Sequence, residues 1–405
     1  MLRLDHVVRD YAWGSVDQVP RLLGFAPSGK PVAEVWLGAH ATASALVGRG
    51  EDDAGVALRD VIARNPKACV GPDGGELPFL LKILGVAQAL SLQVHPGGEQ
   101  ARAGFAREEA AGIPIGAPNR TYKDPNPKPE MVYALASFEL LAGFRRPEDI
   151  RASLEPLAAT SALARALAQA LAPGRTGGLR RAVEIALTGE DAGPEAVEEF
   201  TAACRRQLAA PGDDPGPYAL PVALSKGYPG DRGLAVVMMM THVSLAPGEA
   251  LYVPPGTLHA YLRGVAVEIM GPSDNVLRAG LTTKYADPAR VATTIDWDSA
   301  GPTRPAVTRQ GAVRLLRPPL RLFQLADIRV SGATEVPLAG PRIALALEGD
   351  VTAFTDLGSL HLARGQSLFA MASEGTMTLR GKSRVILAAP GMGPATWGLA
   401  KMTNL

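Results

Sequence analysis

Gln93 and His95 stand two residues apart in Ala89-Leu90-Ser91-Leu92-Gln93-Val94-His95-Pro96, a mostly apolar run. In a β-strand, residues at i and i+2 share a face, so both polar ends point into one interior. Burying them side by side is costly unless something satisfies them. Two arrangements would do so: a bound metal ion, or hydrogen bonds to neighbouring backbone. A second stretch bears on the choice, Gly248-Glu249-Ala250-Leu251-Tyr252-Val253-Pro254-Pro255-Gly256-Thr257-Leu258-His259. Glycine ends a turn, Leu251 to Val253 read as a buried strand, and Pro254 and Gly256 bend the chain so that His259 returns to the interior.

Further charged residues fall at spacings that could join such a site. Lys128 and Glu130 share one face of an incoming strand. Glu130 would supply the anionic ligand that a Gln/His/His set lacks, with Lys128 in reach of the same ion; otherwise the two form a surface ion pair of little consequence. Lys82 interrupts the apolar run Leu77 to Leu84, and is either an edge residue reaching for solvent or an anion ligand facing the cavity of Gln93. Asp274 and Arg278 lie on one loop, where they either hold a sugar and a phosphate or make a structural pair within a turn. Glu268 falls opposite Val265, Val267 and Ile269 on its strand. Glu34 and His40, taken alone, read as ordinary polar residues near a surface or turn.

The elements that must position these groups are mainly strands. Residues 1–60 read as short strands and turns, followed by helical spacing over 56–65 and again over Glu99 to Ala111. Between 147 and 209 the strand-like runs vanish, and Leu163, Leu167 and Leu171, then Val197, Phe200, Cys204 and Leu208, recur at helical steps. Pro211 to Pro217 reads as a rigid polar connector. Leu234 to Met240 reads as a strongly apolar strand. From Arg304 onward, strands are expected at Leu320–Leu325, Arg342–Leu347, Ser367–Ala370 and Val385–Ala389, where His361 stands alone as a satisfied strand residue. The expected organisation is a discontinuous barrel, 1–146 and 217–303, interrupted by a helical domain, 147–216, and followed by a structural β-unit, 304–405.

Composition narrows the partners. Lys+Arg 41 against Asp+Glu 40 leaves a net charge of +1 over 405 residues, so the chain as a whole courts neither nucleic acid nor a membrane surface. No phosphate loop of the G-x-x-x-x-G-K type occurs. Met1 to His6 lacks a signal-peptide core and no apolar run reaches membrane length. Cys69 and Cys204 form no metal or redox pattern, which fits packing residues in a reducing cytoplasm. A monomer or weak homo-oligomer is expected.

The spacing of Gly248, Pro254, Gly256 and His259 is similar to the second cupin motif, in which a histidine completes a metal site begun on an earlier strand. Tyr11-Ala12-Trp13-Gly14, Ala33-Glu34-Val35-Trp36-Leu37-Gly38, Leu92-Gln93-Val94-His95-Pro96, Asn119 to Asp124, Lys128-Pro129-Glu130 and Asp274 to Leu281 resemble, in order and spacing, the type I mannose-6-phosphate isomerases. The resemblance covers residues 5–290, and the C-terminal unit by architecture only. It implies a cupin jelly-roll barrel with an inserted helical domain and a second jelly-roll-like domain. It implies one zinc ion per chain held by Gln93, His95, Glu130 and His259, and a small sugar phosphate contacted by Ser91, Lys82, Lys128, Arg278 and Lys284, with Trp13 and Glu34 beside it. Pro127 departs from the family, which usually has histidine before Lys-Pro-Glu; the four ligands are intact.

The activity so implied interconverts mannose 6-phosphate and fructose 6-phosphate through an enediolate. Zinc with three neutral ligands and one carboxylate keeps net positive charge and polarises substrate oxygens, with Arg278 adding to that stabilisation. Lys128 is expected to carry the proton together with Asp274 or a metal-bound water, with Glu268 in reserve. Two other classes stay open on the residues alone: a cupin that binds a sugar phosphate without turning it over, and an iron-dependent cupin oxygenase.

Overall fold

Along Glu130–Phe144 and His259–Met270 successive residues enter different cores. Met131, Tyr133, Val267 and Ile269 go to one; Val132, Ala134 and Ala266 go to another on the opposite face. A side-chain period of two in strands buried on both faces produces this division. The computed structural model describes residues 1–174, 176–210 and 216–391. It is mainly β, with two nine-stranded sheets whose adjoining strands run antiparallel.

The sheet that carries the site runs Met240–Leu245, Glu130–Phe144, His259–Met270, Leu80–Val86, Glu34–Leu37 and Val7–Arg9 in spatial order. Ala250–Val253 adds to the Glu130 strand, while Leu92–Val94 pairs with both the His259 strand and Leu277–Gly280. The second sheet runs Ala306–Gln310, Val313–Arg317, Gln324–Val336, Met377–Ala389, Arg342–Thr355, Ser367–Ala370, Leu2–Asp5 and Leu46–Val47, with Gly358–Leu362 on its Arg342 strand. Leu2 pairs with Phe369 and Leu4 with Ser367. The C-terminal sheet therefore takes two strands from the N-terminal region, across the division expected at residue 304. One core joins the sheets, with Leu81, Ile83, Tyr133 and Ile269 meeting Leu325, Ile343, Phe369 and Ile386.

The helical layer comprises Pro147–Leu154, Ala162–Ala170, Gly178–Thr188 and Pro194–Leu208, packed through Leu163, Leu167, Val183, Phe200 and Cys204. Two of these helices start on proline, whose absent N–H is no loss there. The Ser161 hydroxyl accepts from the Ala164 N–H at 3.2 Å and caps another. Helices continue past the expected limit of 216, with Ala219–Leu224 and Gly233–Met239. The apolar run from Leu234 is thus a helix, and a strand begins only at Met240. All seven residues of that helix are buried, so no polar face exposes its period, and periodicity cannot separate a buried helix from a buried strand. In the C-terminal unit the strand expected from Leu320 begins at Gln324, because the chain is still turning after Pro318 and Pro319, where the Leu320 N–H donates to the Pro318 carbonyl at 2.8 Å. The helices expected near 56–65 and 99–111 form as Leu58–Arg64 and Gly98–Ala110. Most of the connector at 211–217 lies outside the described residues. Among the described residues both cysteines are free and buried, and no helix is long and apolar enough to cross a membrane.

A core shared by both sheets has a measurable consequence. Phe369 is fully buried between them, and Phe369→Ala is expected to cost about 3–5 kcal/mol. Urea denaturation followed at once by far-ultraviolet circular dichroism and by tryptophan fluorescence should show one transition moving to lower urea in both signals.

Candidate metal and substrate site

The site lies on the face of the first sheet that turns away from the second. His95 follows the Leu92 strand, Glu130 opens its own, and His259 opens another. Their ligand atoms all lie within 4.8 Å of one another, and all three residues are buried. His95 Nε2 is 3.1 Å from Glu130 Oε1, and His259 Nε2 is 3.3 Å from Glu130 Oε2. Gln93 pairs directly with His259 on one side and with Arg278 on the other, and directly opposed residues share a face. Gln93, His259 and Arg278 thus form one cross-strand row beside the cluster.

Both imidazoles are oriented from behind. His95 Nδ1 lies 2.7 Å from the Asn275 carbonyl oxygen and His259 Nδ1 lies 2.9 Å from that of Thr257. A carbonyl accepts only, so each Nδ1 carries the proton and each Nε2 turns a lone pair inward. Burial, followed by the charge of Lys128, lowers the His95 pKa to about 4 and keeps the ring neutral. His259 Nε2 is buried with no hydrogen-bond partner. Two lone pairs therefore converge on a carboxylate. Burial pushes the Glu130 carboxyl up, but Lys128 and the imidazoles prevail and hold it well below the usual range. The Tyr261 hydroxyl donates to Glu130 Oε2 at 3.1 Å. Lys128 Nζ lies 3.1 Å from Glu130 Oε1 and 3.4 Å from His95 Nε2. Both members of the Lys128–Glu130 pair are buried, which overturns its surface reading. Two imidazole nitrogens and a carboxylate, each fixed by a hydrogen bond from outside the cluster, fit a divalent cation.

A second group of charges lies farther along the same face. Ladder register puts Trp36, Lys82 and Glu268 in one row. Lys82 Nζ is 3.1 Å from Glu268 and 3.8 Å from Glu34, and lies over the Trp36 ring at 4.6 Å. Trp36 Nε1 donates to Glu34. Burial disfavours the Lys82 ammonium, yet Glu34, Glu268 and Glu130 reverse that and raise its pKa. Burial raises the Glu268 carboxyl against the opposing pull of Lys82. Lys82 is thus buried and paired, not an edge residue. Glu34 and His40 are also buried, with His40 edge-on to Trp36 and 3.7 Å from Asp274; neither lies on the surface, although His40 does stand at a turn, pairing with Ala43 across Ala41 and Thr42.

The third group belongs to the loop after the His259 strand. Asp274 accepts from the Thr42 hydroxyl at 3.3 Å and does not pair with Arg278. The Arg278 side chain is half-buried with no hydrogen bond or ion pair among the described residues, and burial lowers its pKa. Lys284 lies 5.3 Å from the Tyr11 ring, which stacks on Trp13. Burial, then the nearby Arg278 and Lys123, lowers the Lys284 pKa. Tyr11 in turn feels Glu34, Lys82 and Asp274, so this segment borders the second group. Ser91 is half-buried just before the Leu92 strand.

Two supporting residues escaped the sequence reading. The Asn275 side chain accepts from the Lys123 and Asp124 N–H groups and donates to the Asp124 and Asn126 carbonyls, while its own carbonyl orients His95. Asp231, from the helical layer, accepts from the N–H groups of Gly233 at 2.7 Å and Leu281 at 2.9 Å. Leu281 is buried with φ of 53°, a conformation that costs a non-glycine residue energy. A Cβ on Gly280 would lie 2.4 Å from Asp231 Oδ1, so that glycine is needed. Asp-Asn-Val-Leu-Arg at 274–278 marked the first of these positions as polar, without indicating its backbone partners.

The profile described as "Phosphomannose isomerase type I, catalytic domain" matches residues 1–147. The mannose-6-phosphate isomerase of Escherichia coli (strain K12) is 38% identical over 396 residues, covering 95% of this chain and 98% of that one. The chain belongs to the type I mannose-6-phosphate isomerase family. Its relative in Rattus norvegicus is 31% identical, with 92% and 93% of the two chains covered. The crystal structure of the Salmonella typhimurium enzyme bound to substrate (f6p) and zinc matches with a TM-score of 0.86 and 34% identity, over 97% of this chain and 100% of that one. A mannose 6-phosphate isomerase bound with zinc and yttrium matches with a TM-score of 0.85 and 33% identity, over 97% and 100%. The family resemblance first carried by residues 5–290 therefore extends to the C-terminal sheet.

For this family member the buried imidazole predicts a pH dependence of the metal-free chain. A histidine whose pKa falls from 6.5 to about 4 on folding leaves the unfolded state binding more protons between those values. Stability then rises with pH through the window and is lost as pH falls; the depressed Glu130 carboxyl acts in the same direction. The urea midpoint of chelator-treated protein should drop between pH 6.5 and 4, and His95→Gln should flatten that slope.

Proposed function

We propose that the chain is a zinc-dependent aldose–ketose isomerase that interconverts mannose 6-phosphate and fructose 6-phosphate. The observation that carries this reading is the convergence of two inward imidazole lone pairs and a carboxylate beside the half-buried, unpaired Arg278. His95, Glu130 and His259 would hold the ion, and the register of Gln93 against His259 supports Gln93 as the fourth ligand. Bound zinc supplies a Lewis acid that polarises the substrate oxygens without redox chemistry. The fold is read as a cupin jelly-roll barrel interrupted by the helical layer, with the second sheet as a jelly-roll-like companion. Two free buried cysteines favour a reducing compartment, the cytoplasm, and a monomer or weak homo-oligomer is retained as the working assembly.

The residues divide the chemistry. Arg278 and Lys284, with no carboxylate partner among the described residues, offer charge to a phosphate and to oxygens that become anionic as a proton leaves C2. Lys82, flanked by Glu268 and Glu34, stays an ammonium and serves as a hydrogen-bond donor to substrate, not as a base. Trp13, Ser91 and Glu34 border the sugar. Lys128 stands closest to the ligand cluster and is assigned the proton transfer between C2 and C1, with Asp274 as its partner at the loop. Glu268, engaged by Lys82, is the reserve.

Formation of fructose 6-phosphate from mannose 6-phosphate, followed in a coupled assay, should disappear on chelation and return with zinc. Arg278→Ala should lower kcat by roughly 100- to 1000-fold. Zinc binding without turnover would point instead to a sugar-phosphate-binding cupin, and iron with oxygen consumption to a cupin oxygenase. The proton carrier is tested separately by exchange of the substrate C2 hydrogen with solvent. Lys128→Ala should slow exchange by roughly 100-fold or more; exchange near the unmutated rate, with Asp274→Ala abolishing it, would transfer the role to Asp274.

A further inference from the structure

Where the core between the two sheets reaches solvent, a polar cavity of about 310 Å³ opens, well separated in the fold from the ligand cluster by the sheet whose opposite face carries the site. Its wall is an arginine array. Arg309 stands directly opposite Arg314 across one pair of strands, and Arg329 directly opposite Arg384 across another. Like charges so placed repel. Asp327 pairs in register with Arg314, but its carboxylate is used elsewhere. It accepts from Arg384 Nε at 3.0 Å and from the Arg384 terminal nitrogen at 3.1 Å, and from the Tyr133 hydroxyl at 2.5 Å. Glu348 lies 3.3 Å from Arg329 and 3.6 Å from Arg384. Among the described residues no carboxylate pairs with Arg309 or Arg314. Arg314 donates to the Gly248 carbonyl at 2.6 Å and lies over the Tyr133 ring, and its Nε is buried with no partner.

We propose that this cavity is a second anion site, built for a phosphate-type dianion. Four guanidiniums face two carboxylates, Asp327 and Glu348, and a dianion would neutralise the excess. Guanidinium forks match phosphate oxygens in pairs, and an anion here would relieve the Arg309–Arg314 repulsion. The cavity has room for inorganic phosphate or the phosphate end of a larger metabolite. It also touches two of the three segments that lead to the ligand cluster. Tyr133 follows Glu130 on one strand, and Gly248 lies in the turn before Ala250–Val253, the strand that leads to His259. An anion seated there ties these segments to the C-terminal sheet.

Isothermal titration at constant ionic strength, on the zinc-loaded chain carrying Arg278→Gln and Lys284→Gln, separates this site from the catalytic one. Inorganic phosphate and a hexitol 6-phosphate, which has no carbonyl to isomerise, are titrated in turn. At least one should bind once per chain, their relative affinities telling free phosphate from a phosphorylated metabolite. Adding Arg309→Gln and Arg314→Gln should weaken that binding about tenfold or more. Arg309→Gln alone removes no hydrogen bond or ion pair among the described residues and should weaken it roughly threefold or more, which holds even if Arg314→Gln disturbs the Gly248 turn. Absence of binding by either probe, or affinity unchanged in both arginine variants, would overturn the proposal.

Discussion

A carboxylate with no access to water faces two imidazole lone pairs, and the protein surrounding Glu130 is arranged around that fact. Such a cluster is unfavourable unless positive charge is present. Folding nevertheless brings Glu130, His95 and His259 together from three separate segments, all three buried and with their ligand atoms within 4.8 Å of one another. Carbonyls of Asn275 and Thr257 hold the rings by their Nδ1 protons, and Tyr261 holds the carboxylate. Lys128 supplies part of the missing charge. Its ammonium reaches one imidazole and one carboxylate oxygen, while His259 Nε2 remains without a partner. The geometry is preorganised for a cation with more than one coordination direction, which a single ammonium cannot replace.

Charge is graded along the site. Near the sheet, Lys82 answers two carboxylates, Glu34 and Glu268, and Lys128 answers Glu130, so the floor holds an excess of negative charge that welcomes a divalent ion. At the loop, Arg278 and Lys284 lack carboxylate partners among the described residues; burial lowers the pKa of both, and Arg278 lowers that of Lys284 further. The mouth is therefore electropositive. In the proposed function, a phosphorylated sugar drawn to that mouth presents its phosphate to the cations and its carbonyl end inward, toward Lys128 and the residues proposed to hold the ion. Asp231 keeps this arrangement in register. By accepting from Leu281 N–H it holds a left-handed residue between Arg278 and Lys284, and so it links the helical layer to the segment that carries both cations.

The parts legible from the residues alone were those with short-range spacing. Gln93-x-His95, Lys128-x-Glu130 and the glycine and proline positions before His259 each encode a local geometry, although His95 stands just after its strand and Lys128 just before its own. Partners brought together by folding carried no such mark. Asp231 and Leu281 lie fifty residues apart, and the Asn275 amide serves backbone groups near 124. The Leu234 run was unreadable for a different reason: with every side chain buried, helix and strand leave the same apolar trace. The crossing of the expected domain boundary by Leu2–Asp5 likewise depends on strand pairing over more than three hundred residues, which no local pattern specifies.

That crossing gives the second sheet a physical role in the site. Residues facing the metal cluster and residues facing the inter-sheet core alternate along the same strands, so Glu130 and Met131, or Glu268 and Ile269, share backbone and cannot move independently. Leu325, Ile343, Phe369 and Ile386 press on that shared backbone from behind. Close-packed interiors are stiff and transmit displacement instead of absorbing it. A shift of the C-terminal sheet by a fraction of an ångström would pass through Met131 and Ile269 to the carboxylates on the other face. Isomerisation demands that a proton carrier and a polarising centre keep their separation while the substrate changes from aldehyde to ketone. The second sheet, which contributes no group to the site, is then best understood as the backing that holds this separation constant.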